Sequence, residues 1–212
     1  MNLPEEIILL TLDDETGDVL GRQGMAAGIA LAGAVLMELS LLGRVDTDQE
    51  RLLIASGAPT GNAVLDAALR VLTLEGPNHS KRALILLSQD NEARRAALLE
   101  TLVQASVLER RAVGFLRLFG TRYPKAPGRA ESQEVRGRLR ALVLGEDIPE
   151  PRDALLLGLV RASGLLPLLF SQDELAGVPR RLEMLVRLEA LNRSLAVAVT
   201  DVYQSRLRAA SG

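Results

Sequence analysis

A carboxylate at position 38 interrupts the apolar run MAAGIALAGAVLMELSLL, residues 25–42. An acid held among aliphatic side chains can carry a raised pKa and act as a general acid or base. It can equally be a buried carboxylate paired with an arginine or capping backbone N–H groups. The second reading is favoured, because no nucleophile or donor converges on Glu38. The single histidine, His79 in EGPNHS, reads as a solvated loop residue. Ser163 in RASGL lacks the G-x-S-x-G elbow and the apolar strand leading into it. The chain has no cysteine, which excludes thiol chemistry and disulfides, and no His/Cys cluster that would hold zinc. DDETGD, residues 13–18, begins like a calcium loop, but Gly24 stands where the loop needs a bidentate glutamate. Carboxylates beside glycine also make ordinary turns, and that reading is preferred. No catalytic residue, metal or cofactor is expected.

The stretch SGAPTGNAVLDAALRVL, residues 56–72, raises the question of phosphate binding. A P-loop requires lysine and then a hydroxyl after its second glycine. Asn62 and Ala63 stand there, and the nearest basic residue is Arg70. The stretch is instead expected to begin a helix, with Thr60 as N-cap and Val64, Ala68, Val71 and Leu72 on one face.

These residues must be positioned by a mainly helical scaffold. Of 212 residues, 48% are hydrophobic and only 2% aromatic, and tryptophan is absent; such a core is aliphatic and helical. The formal net charge of −2 gives no push toward nucleic acid. The N-terminus has acids where a signal peptide is basic. The run before Glu38 is shorter than the ~20 residues of a membrane span, so a buried core helix is expected from about Gln23 to Gly43. Its many alanines and glycines should let neighbours approach closely. Eight or nine helices are expected. They start at Pro4, Gln23, Thr60, Ser80 (as cap) and Asn91, then run over about 131–144, 151–163, 172–188 and 191–208, with Pro179 breaking or kinking the third of these last four. Two hairpins are expected, one around residues 45–54 and one within VLERRAVGFLRLFGTRY, residues 107–123. The fold class is mainly α, a compact helical domain spanning residues 1–212 around an apolar bundle, with two small β-hairpins.

Five fragments, in order, resemble the Golgi phosphoprotein 3 family, in its bacterial form: LPEEIILLTLDDETGDVL (3–20), LAGAVLMELSLLGRV (31–45), GAPTGNAVLDAAL (57–69), LVQASVLERR with GFLRLFGTRYP (102–124), and DALLLGLVRASGLL (153–166). The resemblance implies a mostly helical domain and a hairpin near 107–123 that serves self-association. Eukaryotic members are not enzymes; they bind phosphatidylinositol 4-phosphate in a basic surface pocket and the cytosolic tails of glycosyltransferases. That pocket uses a tryptophan where this chain has Gln23, an arginine where it has Ala32, and two arginines where it has Glu92 and Arg95. Only Arg95 matches. Arg94 and Arg22 are the candidate substitutes. Arg110, Arg111 and Arg117, interleaved with Phe115, Leu116, Leu118 and Phe119, suit an anionic membrane surface or a contact between copies.

The expected function is a non-enzymatic peripheral membrane or adaptor module with a degenerate headgroup pocket. Its partners would be anionic lipid headgroups and proteins, with self-association through the hairpin and no nucleic acid. The expected location is the cytoplasm, extending to the inner membrane surface. A soluble interaction scaffold without lipid binding is the alternative, and an enzyme built on Glu38 is the third reading.

Overall fold

The chain enters its first helix through a reciprocal cap. The Asn2 side chain accepts the Glu5 N–H at 2.9 Å, and the Glu5 carboxylate accepts the Asn2 N–H at 2.9 Å. Two free donors at the helix start are thereby satisfied. With Pro4 in the first turn, this launches α1, Leu3–Leu10. At the other end the Thr11 N–H and hydroxyl donate to the carbonyls of Ile7 and Ile8. Arg136 donates to those of Leu9 and Leu10. All four carbonyls that a helix leaves unpaired at its C-terminus therefore find donors, which lets α1 be buried along nearly its whole length.

The computed structural model describes residues 1–20, 24–48, 51–115, 118–145, 150–187 and 190–210, with side chains at all of these except 48, 113–115, 118–119, 186–187, 190–197 and 210. After α1 come α2 (Gly24–Leu41), a hairpin of β1 (Val45–Asp48) and β2 (Arg51–Ile54), then α3 (Ala63–Glu75), α4 (Ser80–Gln89) and α5 (Asn91–Gln104). A second hairpin, β3 (Arg111–Phe115) and β4 (Leu118–Arg122), leads to α6 (Glu131–Leu144), α7 (Pro151–Ala162), α8 (Gln172–Gly177), α9 (Pro179–Arg187) and α10 (Ala190–Ala210). Both hairpins are antiparallel, pairing Val45 with Ile54 and Arg111 with Arg122 at their open ends. The mainly α class with two small hairpins is therefore observed.

α2 is the centre. By length and composition alone it would cross a membrane, yet 72% of it is buried inside the protein, and α1, α3, α4, α5, α7, α10 and β1 all pack on it. Its small residues work as expected. A Cβ added at Gly33 would lie 2.5 Å from Leu159 of α7 and 3.0 Å from Val199 of α10, so three helices meet where only glycine fits.

Two local expectations are corrected. Asn62, not Thr60, caps α3, accepting the N–H groups of Val64 and Leu65 at 3.0 and 3.1 Å. Thr60 instead donates its N–H and hydroxyl to Asp66 at 2.6 and 2.7 Å, and Gly61 between them takes the left-handed turn (φ +84°). Ser80 is not a cap: it lies inside α4 behind His79, its hydroxyl buried without a hydrogen bond. As expected, the stretch 172–188 is broken at Pro179 into two helices; counting both, the described residues hold ten α-helices where eight or nine are expected.

DDETGD is a turn that roots the second hairpin. Asp13 Oδ1 accepts the N–H groups of Glu15 and Thr16 at 3.1 and 2.7 Å, so the carboxylate serves the turn itself. Gly17 has φ +69°, and a Cβ there would sit 2.3 Å from the Tyr123 backbone. The Asp14 carbonyl accepts the Lys125 N–H at 2.8 Å, and Asp18 pairs with Arg122 at 2.9 Å.

Candidate functional site

The opening turns of α5 pack against those of α2: a Cβ at Gly28 would lie 2.6 Å from the Asn91 side-chain nitrogen. Arg95 stands one turn beyond Asn91, on the same helix face. Its stem is half-buried, burial pulls its pKa down, and it has no hydrogen bond or ion pair among the described residues. A guanidinium in that state keeps its charge and still has five donors to offer.

Arg94, its neighbour, points elsewhere, as the ~100° step between adjacent helical residues allows. It is buried and donates to the carbonyl of Leu87 in the last turn of α4. Burial also lowers its pKa, opposed by the Asp90 charge. Its guanidinium caps the last turn of α4. Arg22 and Gln23, which precede α2, lie outside the described residues. Ala32, where the family pocket has an arginine, is fully buried in α2, while Glu92 is exposed. Of the four candidates for a headgroup, Arg95 has no side-chain partner among the described residues and Arg94 donates to the Leu87 carbonyl.

At the second hairpin the cations of the root are paired. Arg110 pairs with Glu100 of α5, Arg111 with Glu109 at 2.9 Å, and Arg122 with Asp18. Leu116 and Arg117 lie outside the described residues, as do the side chains of Phe115, Leu118 and Phe119.

Glu38 is a structural acid. Its Oε2 accepts the Leu3 N–H at 2.8 Å, at the start of α1, and the Arg152 guanidinium at 2.7 Å. Both elements of the favoured reading, an arginine partner and a capped N–H, are present together. Ser163, fully buried, donates to the Leu159 carbonyl at 2.6 Å, which spends its hydroxyl. In the GAPTG loop the Arg44 guanidinium reaches the Ala58 and Pro59 carbonyls at 2.8 and 3.0 Å. That loop turns carbonyls toward a cation, the reverse of a phosphate cradle.

The sequence missed the carboxylate–arginine system of α1, α6 and α7. Buried Glu6 accepts from Arg138 at 2.7 Å, and Arg138 also reaches Asp153 at 3.2 Å. Burial raises the Glu6 pKa, against the pull of the Arg138 hydrogen bond. The available signal was Glu6 itself, an acid within the short apolar helix PEEIILL.

No curated protein matches the chain. The model of the family described as Golgi phosphoprotein 3 (GPP34) matches residues 3–205, and the chain, with its helical core and its five ordered fragments, belongs to that family.

Proposed function

We propose that this protein is a non-enzymatic adaptor that attaches weakly to anionic membrane surfaces, with Arg95 contacting a phosphorylated headgroup. One observation carries the reading: Arg95 is a half-buried cation with no hydrogen bond or ion pair among the described residues, at the position where the family's pocket has an arginine. The meeting of the first turns of α2 and α5 adds N–H donors and the positive ends of two helix dipoles. A doubly charged phosphate needs several donors to offset its desolvation, so with one arginine the attachment is weak and salt-sensitive. Its place would be the cytoplasm and the inner membrane surface.

Vesicle co-sedimentation tests this. At low salt the protein should pellet with vesicles containing phosphatidylinositol 4-phosphate, and less with phosphatidylserine at equal charge. Arg95→Glu should abolish pelleting. No pelleting of the wild type at low salt would sink the reading.

A second reading is a soluble interaction scaffold that self-associates through the second hairpin. It is favoured by the loss of Arg94 to the α4 cap and by the pairing of the arginines at the hairpin root. Here Phe115→Ser with Phe119→Ser should abolish self-association in sedimentation velocity, while lipid composition has no effect. A doubly substituted chain that sediments like the wild type contradicts it.

A further inference from the structure

A cleft of about 610 Å³ opens between the start of α1, the end of α5, the outer face of α6 and the start of α7. It lies apart from the Arg95 face and has the opposite electrostatic character. Six carboxylates, three arginines and Met1, which carries the α-ammonium, line it, so carboxylates still outnumber cations by two. Each arginine is committed: Arg138 to Glu6 and Asp153, Arg152 to Glu38, and Arg129 to Glu131. Two carboxylates on the exposed rim, Glu134 and Glu150, have no hydrogen bond or ion pair among the described residues. The cleft therefore presents uncompensated negative charge.

A cluster of acids is common on protein surfaces; the floor of this one is not. Glu6 is only 3% exposed. Its Oε1 accepts from Arg138, but its Oε2 is buried with no hydrogen-bond partner. An orphaned carboxylate oxygen in such a place costs the full desolvation of that atom. It is an acceptor waiting for an N–H donor, and the carboxylates above it select a donor that is positively charged. Oε2 has almost no surface of its own, so a ligand reaches it as a neighbouring side chain swings. Arg138, long and 41% exposed, is placed to do so.

We propose that this cleft binds a small aliphatic diamine: one primary ammonium donates to Glu6 Oε2, and the second lies among the rim carboxylates Glu134 and Glu150. An ammonium fits where a guanidinium does not, because it is compact and its three donors rotate freely. The raised pKa of Glu6 is in keeping with this, since a cation at Oε2 would relieve the cost of its charge.

Titration calorimetry of the full chain with 1,4-diaminobutane at low salt tests the proposal, with tetramethylammonium as a cation that has no N–H to donate. Saturable binding of the diamine without binding of tetramethylammonium is expected. Glu6→Gln should weaken it about tenfold, the loss of one charge-assisted hydrogen bond. As a check independent of the buried site, Glu134→Gln with Glu150→Gln, both on the exposed rim, should weaken it about threefold. No binding of the diamine by the wild type overturns the proposal, as does equal binding of tetramethylammonium or unchanged affinity in Glu6→Gln. Binding of oligolysine but not the diamine would make this face a peptide-docking surface and also overturn it. None of these readouts involves Arg95 or vesicles, so this site and the membrane reading stand or fall separately.

Discussion

α6 and α5 each carry closely spaced arginines, and the two helices use them in opposite ways. On α6, Arg136 donates to the carbonyls of Leu9, Leu10 and Leu12 around the end of α1. Arg138 holds Glu6 and Asp153. Arg140 pairs with Glu174 and lies 5.6 Å from the centre of the Phe170 ring. All three are fasteners between helices. On α5, Arg94 is a fastener of the same kind, but Arg95 beside it is not attached to anything described. The number of cations on a face therefore says little about function; the cation left over after the fold has taken its share is the informative one.

The largest test of this contrast is Arg138→Ala. It strands the Glu6 carboxylate among apolar neighbours, and chemical denaturation should show a loss of about 2 kcal/mol. That is below the figure for a fully enclosed pair, because Arg138 is half-exposed and Glu6 can take up a proton. Arg94→Met comes next: it keeps the apolar stem but leaves the Leu87 carbonyl without its donor, at about 1–2 kcal/mol in the same assay.

The two acids held by α6 arginines should show opposite pH signatures. Burial raises the Glu6 pKa above its ordinary 4.5, so the folded state holds that proton more tightly than the unfolded chain. Its contribution to stability is complete below about 4.5 and is lost as pH rises through the raised value. Glu174 is held down to about 2, first by the Arg140 hydrogen bond and then by the Ser171 N–H. Its contribution is present above about 4.5 and lost as pH falls toward 2. Stability profiles of Glu6→Gln and Glu174→Gln should diverge from wild type in those opposite directions. The smallest effect is expected for Arg95→Ala, within about 0.5 kcal/mol of wild type. A loss as large as that of Arg94→Met would show that Arg95 is also a fastener and erase the contrast.

Much of the scaffold was legible in the sequence because its signals are local or unambiguous. An eighteen-residue apolar run with one acid has few fates outside a membrane, and Glu38 was read with the right kinds of partner. Pro179 had to break its helix wherever the neighbours lay. The α3 cap was misread because Thr60 and Asn62 are both eligible, and the choice fell to a left-handed Gly61 that lets Asp66 take Thr60. The candidate site was harder. Arg94 and Arg95 are identical neighbours, and only the rotation of α5 against α2 and α4 decides which one faces inward. Glu6 sits in the first turn of α1, where a helix dipole alone accounts for an acid, and nothing near it in sequence announces Arg138. Composition carries no information about such pairings between distant helices.

The turn at residues 13–18 has a consequence for how this molecule assembles. It grips the base of a hairpin more than a hundred positions further along the chain, as in the Asp18–Arg122 ion pair; beyond the hairpin, the Asp14 carboxylate accepts the Ser132 hydroxyl of α6 across 118 residues. Contacts that close so long a loop are entropically late. The helices between should condense first, and the hairpin should be latched near the end. The amide of Lys125, fastened to Asp14, should then gain protection from hydrogen exchange later during refolding than the amides of α2. A protease given brief access to a refolding chain should find the hairpin while the helical core is already closed to it.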